Sequence, residues 1–466
     1  MSRRLELWVV SAAVLVFFAQ TSTFHLMFDG LTYAALAKNI LRSGDWSRLH
    51  YGLEQYPDFF QHPPLAIWIQ AAVFKLFGFS EAVSRVFPAS LAVLSAWMLF
   101  AYTKHIAGRS AGLFAALVLI SSTRFVKWAS NFYLDGILSF FGLGAAILMS
   151  LASASEVRST RRSRALMILG GASLSCAFMV KGVAALPAAG ACGLVLLFHM
   201  DRRFLIHVLL AIIGMAVPLM IWFGLGDGLD FLERYFAISV AGRASFQQLS
   251  IHPWRNLYAL WLPWFPIFVW GLIFGFKAWS KREPMGRELV MWSFAALAVP
   301  LAYSFGVVYM EHYLTPFYPL AAIPTGVMLS RWFPAFAEKA EKWMWGGLFV
   351  TALLLATFAP DVNQQKQHPA DFWLASVNSL KVDSRSRIDK IVFTEKAGGL
   401  WLNLAILLAR GEDQAIGSFD PLRQPQAGML MVASPGEVPS ANWGEVSCLR
   451  TPEFRFYSSR NENYCE

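Results

Sequence analysis

Long apolar runs, separated by short basic stretches, set the rhythm of the chain. A bilayer-spanning helix needs about 20 apolar residues, and about 17 at the least. The pattern predicts eleven such crossings, at 7–27, 87–103, 110–126, 136–154, 165–180, 183–199, 204–224, 257–276, 289–307, 313–330 and 344–360. One further apolar stretch, 64–79, is set apart from these. It opens on Pro63-Pro64, carries Gln70 and Lys75, and fits a helix lying in the membrane interface better than one crossing it.

The positions of the charges orient the pattern. With the N-terminus and its Arg3-Arg4 pair inside, the loops on that side hold Lys104 and Arg109, then Arg158, Arg161, Arg162 and Arg164, then Arg202 and Arg203. Lys277, Lys281, Arg282 and Arg287 follow, and then Arg331, Lys339 and Lys342. Basic residues favour the cytoplasmic face, and counting 64–79 as a crossing would invert everything after it. The formal charge of +9 is therefore read as topology, with no nucleic-acid partner implied. Hydrophobic residues make up 56% and charged residues 15%, which excludes a soluble domain. The run 7–27 is long for a cleaved signal and lacks a small-x-small end, so it is read as a retained first helix.

Eleven crossings place the C-terminus outside, together with the loops 28–86 and 225–256. The expected fold is an all-α polytopic membrane domain over 1–360, with interfacial helices, and a small extracytoplasmic α/β domain over 361–466. In that tail, 388–394 and 429–433 read as strands, 400–410 as a helix, and 445–450 with 453–458 as a hairpin. Cys176 and Cys192 fall inside apolar runs and read as core residues. Cys448 and Cys465 would face an oxidising space and are either bonded to each other or buried thiols.

The candidate chemistry gathers at the outer face, where polar residues near lipid are expensive and often functional. Asp29 follows the first span in Phe28-Asp29-Gly30-Leu31-Thr32-Tyr33 and opens an amphipathic stretch to Leu41; a helix-dipole role is the plainer alternative. His62 precedes the stiff Pro63-Pro64, and Asp135 sits in Tyr133-Leu134-Asp135-Gly136. Lys181-Gly182 joins two spans, where the lysine could instead reach the headgroups. Glu311-His312-Tyr313-Leu314-Thr315-Pro316 opens the tenth span. Topology drawn from loop charges alone brings all five groups to one side. Carboxylates can act as a base or orient an acceptor, and lysine, arginine or histidinium can hold a departing phosphate.

These motifs carry a resemblance. The run from Asp29 through Tyr33, Ala37-Lys38-Asn39-Ile40-Leu41 and Ser43-Gly44-Asp45-Trp46 resembles the first outer loop of the bacterial aminoarabinose transferases of lipid A and of the protein O-mannosyltransferases. His62-Pro63-Pro64-Leu65, Arg85-Val86-Phe87-Pro88, Leu134-Asp135, Lys181-Gly182 and Tyr313-Leu314-Thr315-Pro316 follow in family order. The resemblance implies a GT-C fold and inverting transfer of a sugar from a polyprenyl phosphate (undecaprenyl phosphate in a bacterium) on the periplasmic face of the inner membrane. It implies Asp29 as the catalytic carboxylate and Asp135 as its assistant. Lys181, His62 and Arg85 would bind the lipid phosphate, and Tyr33, Glu311, His312 and Tyr313 the substrates. Implied partners are the lipid-linked sugar, surrounding lipids, and a lipid A, glycolipid or protein acceptor; the resemblance fixes no cofactor and leaves a divalent metal open. The chain departs from the pattern in three places. His62 stands where the lipid A enzymes have lysine, Ala129-Ser130-Asn131 lacks an arginine that Arg124 or Lys127 would replace, and Glu311-His312 replaces a basic residue. The rival readings are a transporter, which would be expected to show paired halves with broken helices near the midplane, and a membrane-anchored scaffold.

Overall fold

The computed structural model describes residues 2–19, 28–50, 58–154, 160–200, 203–225, 228–241, 250–305, 309–336 and 338–340, and the strand segments 390–393, 415–418, 429–433, 443–446 and 455–459. The helices in chain order are α1 (Ser2–Ala19), α2 (Phe28–Ser43), α3 (Leu65–Phe77), α4 (Glu81–Ala107), α5 (Arg109–Ser121), α6 (Thr123–Ser130), α7 (Leu134–Ser153) and α8 (Thr160–Lys181). They continue with α9 (Leu186–Phe198), α10 (Phe204–Leu225), α11 (Gly228–Tyr235), α12 (His252–Leu260), α13 (Phe265–Ser280), α14 (Pro284–Ser304) and α15 (Phe317–Trp332). Short 3-10 turns occupy Gly182–Ala185 and Glu311–Leu314. The strands are β1 (Lys390–Phe393), β2 (Ala415–Ser418), β3 (Met429–Ala433), β4 (Trp443–Glu445) and β5 (Arg455–Ser459).

The chain divides into two compact units, one of Met1–Thr23, Phe60–Ala66 and Arg85–Pro360, the other of Phe24–Phe59, Ile67–Ser84 and Asp361–Glu466. In the first, helices pack around a continuous apolar core that includes Phe17, Phe125, Trp261, Trp292, Phe317 and Tyr318. Small residues let backbones meet: a Cβ on Gly171 would stand 2.0 Å from the Ala211 carbonyl oxygen, and one on Gly214 would stand 2.0 Å from that of Ile168. Either would force α8 and α10 apart, the close-packing logic of helices in lipid. The opposite face of α10 turns Leu205, Ile212 and Met220 outward at 78%, 55% and 62% exposure. Apolar side chains exposed along a whole helix are suited to lipid, not water.

The hydrogen bonds fix how α7, α8 and α9 run. At one end of α7, Asp135 meets Lys181 at the end of α8. At the other end, Ser150 bonds the Tyr102 hydroxyl at 2.8 Å, the hydroxyl also receives Trp292 Nε1 at 3.0 Å, and Glu288 receives His199 at 3.1 Å. Lys181 and His199 therefore lie at opposite ends of the bundle, and α8 and α9 are two legs of a hairpin reversed at Gly182. By length and composition alone, five described stretches suffice to cross a bilayer, or seven if each bent pair is one crossing. That count takes Arg161–Phe198 as one stretch. It also passes over α1, which carries Arg3, Arg4 and Glu6, and α15, which has 16 residues. The span expected at 344–360 lies outside the described residues.

Two expected spans are not straight. The run 257–276 is broken between α12 and α13, which diverge by 108°. Pro263 and Pro266 remove two backbone donors there, a break that the hydropathy pattern hides. The run 110–126 ends α5 at Ser121 and turns by 69° into α6. Helix α3 has 13 residues, about 20 Å long at 1.5 Å per residue, short of a hydrocarbon core of about 30 Å. That length agrees with the interfacial placement expected of 64–79.

In the second unit, α2 is not amphipathic as the sequence suggested, because every residue from Leu31 to Ile40 is buried. The Lys38 ammonium is covered by the Phe79 ring at 4.5 Å. The strands form one mixed sheet in the order β2-β1-β3-β5-β4, with β1 parallel to β2 and β3 and with β5 antiparallel to β3 and β4. Met431 and Trp443 are buried together against Tyr457. The expected strands at 388–394 and 429–433 are present, and the hairpin forms with its first strand at Trp443–Glu445 rather than 445–450. Strand β2 went unread because Ala415-Ile416-Gly417-Ser418 has too little alternation to announce itself. The helix expected at 400–410, Cys448 and Cys465 lie outside the described residues. Cys192 is buried and Cys176 half-buried, as expected of core positions.

Candidate functional site

The centre of the first unit's site is a buried ion pair. Asp135 stands in the first turn of α7, and Lys181 is the last residue of α8. Lys181 Nζ lies 2.5 Å from Asp135 Oδ2, with the two side chains 6% and 1% exposed. The sequence prepares this meeting. Gly182 adopts a left-handed φ of 59°, which turns the chain sharply just after the lysine. The Tyr235 hydroxyl from α11 accepts the Val183 N–H at 2.8 Å, and a Cβ on Gly182 would stand 2.1 Å from that hydroxyl. Glycine is required there both for conformation and for room.

The Glu311–Leu314 turn closes over the pair. His312 Nε2 is 3.7 Å from Asp135 Oδ2. Burial pushes the His312 imidazole down to about 4, with Asp135 opposing the shift and Lys181 adding to it, so the ring is neutral near pH 7. Asp135 thus has Lys181 as its ionic partner and a neutral imidazole beside it. Aromatic rings surround the histidine: Trp128 at 5.4 Å, Tyr133 at 5.1 Å and Tyr313 at 4.7 Å. The Lys181 ammonium also sits 4.6 Å from the Tyr313 ring centre, a cation–π contact that adds to its hold in a desolvated setting. Glu311 pairs with Arg124 of α6 at 2.8 Å, so the arginine suggested as a substitute for the missing family residue does reach this turn.

The structure therefore brings Asp135, Lys181, His312, Tyr313 and Glu311 to one end of the bundle. Arg85 is fully buried in α4, and His62 is half-buried just before α3. Asp29 and Tyr33 stand on the first turns of α2 in the second unit, where Tyr33 packs edge-on to Phe59 at 6.4 Å. Among the described residues, no group of three or more His, Cys, Asp or Glu could share a metal ion. The sequence reading missed Trp128, Tyr133 and Tyr235. The first two flank Asp135 within seven residues, a signal that was available. Tyr235 announces itself only through the room above Gly182.

Residues 61–225 match the family described as dolichyl-phosphate-mannose-protein mannosyltransferase. An uncharacterized protein of Aquifex aeolicus (strain VF5) is 28% identical over 338 residues, which cover 70% of this chain and 63% of that relative. The crystal structure of ArnT from Cupriavidus metallidurans bound to undecaprenyl phosphate superposes with a TM-score of 0.73 at 18% identity, covering 97% of both chains. The chain has the GT-C fold. The archaeal oligosaccharyltransferase AglB from Archaeoglobus fulgidus, solved with an inhibitory peptide and a dolichol-phosphate, is a more distant GT-C likeness. Its TM-score is 0.54 at 10% identity, over 92% of this chain and 69% of that one. The GT-C resemblance read from the sequence motifs is thus met in three dimensions over almost the whole chain.

Proposed function

We propose that this protein is a membrane glycosyltransferase that moves a sugar from a polyprenyl phosphate to an envelope acceptor, on the face of the membrane where Asp135 and Lys181 lie. The observation that carries the reading is the buried Asp135–Lys181 pair, set under a histidine–tyrosine turn in a fold shared with a protein solved with undecaprenyl phosphate. Undecaprenyl phosphate is the proposed carrier, the periplasmic face of a bacterial inner membrane the proposed location, and lipid A or another glycolipid the proposed acceptor. In the reaction an acceptor oxygen attacks the anomeric carbon from the side opposite the leaving group. The bond from that carbon to the phosphate oxygen breaks, and the phosphate leaves with the electron pair. Asp29 is assigned the acceptor's proton on the strength of its sequence motif. Arg85 and His62 are assigned the departing phosphate. Lys181, whose charge is already taken up by Asp135, orients that carboxylate. Tyr33, Glu311, His312 and Tyr313 are assigned substrate contacts.

The match of 61–225 to the mannosyltransferase family favours one second reading, with a protein hydroxyl as the acceptor. A single experiment separates the two. Membranes containing the protein are incubated with radiolabelled undecaprenyl-phosphate sugars, and label is sought in lipid, glycan and protein fractions. Label in the lipid fraction supports the first reading and label in protein the second. No transfer of any sugar above the level of an Asp29→Asn, Asp135→Asn control would refute both.

A further inference from the structure

Three helices each leave one polar atom without a partner around the Glu311–Leu314 turn. Asp135 Oδ1 on α7, the Tyr303 hydroxyl on α14 and Trp128 Nε1 on α6 are buried, and among the described residues none of the three atoms has a hydrogen-bond partner. Contacts within the turn tie them together. The Trp128 ring lies 5.4 Å from His312, whose Nε2 is 3.7 Å from the other oxygen of Asp135. Tyr303 stacks on Tyr313 at 5.1 Å with the ring planes 29° apart, and Tyr313 abuts His312. Buried polar groups in native proteins are almost always satisfied, so three orphans about one turn call for a polar occupant.

The chemistry of the three atoms selects among occupants. One is a carboxylate oxygen that only accepts, one an indole N–H that only donates, and one a hydroxyl that does both. A phosphate fits poorly. Of the two lysines nearby, Lys181 is already paired with Asp135 and Lys127 lies over the Trp128 ring at 4.5 Å, while the free oxygen of Asp135 would repel an anion. A neutral ring bearing hydroxyls fits well. Its hydroxyls can donate to Asp135 Oδ1 and accept from Trp128 and Tyr303, while its C–H faces lie against the aromatic rings.

We infer that Tyr303 and Trp128, with Asp135 Oδ1, form the subsite for the sugar ring of the donor, with Tyr303 a specificity-determining residue. The inference rests on the glycosyltransferase reading. It separates the sugar subsite from the phosphate contacts, so the two can be tested apart.

The full-length protein in lipid nanodiscs is titrated with undecaprenyl phosphate and with undecaprenyl phosphates carrying glucose, galactose, mannose or arabinose. Tyr303→Phe keeps the ring stack and removes only the hydroxyl, whereas Trp128→Phe removes the indole N–H together with part of a buried ring, a packing loss that bare undecaprenyl phosphate reads out. Each is expected to weaken the best sugar-bearing lipid ~5–10-fold, the worth of one hydrogen bond, while bare undecaprenyl phosphate changes by less than ~2-fold. A deoxy analogue of the best sugar, lacking the hydroxyl that Tyr303 meets, should lose the same factor in the wild type and nothing further in Tyr303→Phe. Equal loss for bare and sugar-bearing lipid would assign the residues to the lipid or to folding and overturn the inference. Unchanged affinities for every lipid would mean a water-filled pocket. Unchanged donor affinity with reduced transfer to a membrane glycolipid extract would place the acceptor there instead. If the wild type binds bare lipid phosphate but prefers no sugar-bearing form, the donor reading falls and takes the subsite with it.

Discussion

Replacing Lys181 by methionine should leave the buried Asp135 carboxylate without its ionic partner. The side chains of the pair are 6% and 1% exposed and 2.5 Å apart. Removing one partner of such a pair leaves a buried charge without compensation, at a cost of about 3–5 kcal/mol. Asp135→Asn leaves a buried ammonium in place of a carboxylate and should cost a similar amount. The double variant Asp135→Asn, Lys181→Met leaves neither charge, so most of the loss should return. The coupling, the two single losses less the small double loss, is then about 5 kcal/mol or more, above the ~0.5–3 kcal/mol usual for contacting residues. The assay is unfolding of the four proteins in one detergent, followed by the intrinsic fluorescence of the tryptophans. Activity supplies a second axis, because the double variant should be stable and yet inactive. Single variants that each cost under ~1 kcal/mol, or a double variant no more stable than the worse single, would refute the reasoning. The first outcome would mean that water reaches the pair, the second that the site matters only through packing.

Other perturbations probe the parts separately. Gly182→Ala must tolerate a left-handed φ and a Cβ 2.1 Å from the Tyr235 hydroxyl. It should lose about 2–3 kcal/mol, from ~1–2 for the conformation and ~1 for the Val183 hydrogen bond, against ~1 for Tyr235→Phe; a melting curve matching the wild type would reject the turn assignment. His312 is held near 4 in the fold and titrates near 6.5 when unfolded, so only the unfolded chain takes up this proton between those values. Its contribution to stability is complete above about pH 6.5 and is lost as the pH falls toward 4; melting temperatures of wild type and His312→Gln should diverge across that window, and parallel curves would contradict it. Asp29→Asn should lower transfer by ~10²-fold or more with donor affinity retained, and normal turnover would remove Asp29 from the chemistry.

The candidate site residues were legible because lipid makes polar groups conspicuous. Asp135, Lys181 and Glu311-His312-Tyr313 stood out against apolar runs, and loop charges alone put them on one side. Their pairing was not legible. From sequence, Lys181 could hold a phosphate or reach for headgroups, and only the fold shows it bound to Asp135. The structure also places Arg124 on Glu311, which left two candidates open in the sequence. Sequence periodicity failed where the helices break. The apolar pattern runs on through Trp261–Trp264, because a bend changes backbone direction without changing hydropathy. Pro263 and Pro266 were the available warning for that bend, and the polar run Ser121-Ser122-Thr123-Arg124 was the warning for the bend between α5 and α6.

These breaks belong together. Trp261, at the end of α12, donates its indole N–H to the Ser122 hydroxyl at 2.9 Å, and Ser122 lies at the join of α5 and α6. The Trp261 ring packs against Phe317 at 5.1 Å and Tyr318 at 6.2 Å, at the start of α15. Three helix interruptions therefore meet around one buried tryptophan. Backbone that leaves the helix at membrane depth needs partners inside the protein, which is what this cluster provides. Its consequence is felt at the Glu311–Leu314 turn, which runs directly into α15 through Thr315, whose hydroxyl caps the His312 carbonyl at 2.6 Å. Helix α6, redirected by the bend at Ser122, carries Arg124 to Glu311 and Trp128 to His312. A straight α5 continued through 130 would carry neither side chain to its present partner. The bends are thus what bring charged and aromatic residues from separate spans over one ion pair, and they are the part of the fold on which the proposed chemistry most depends.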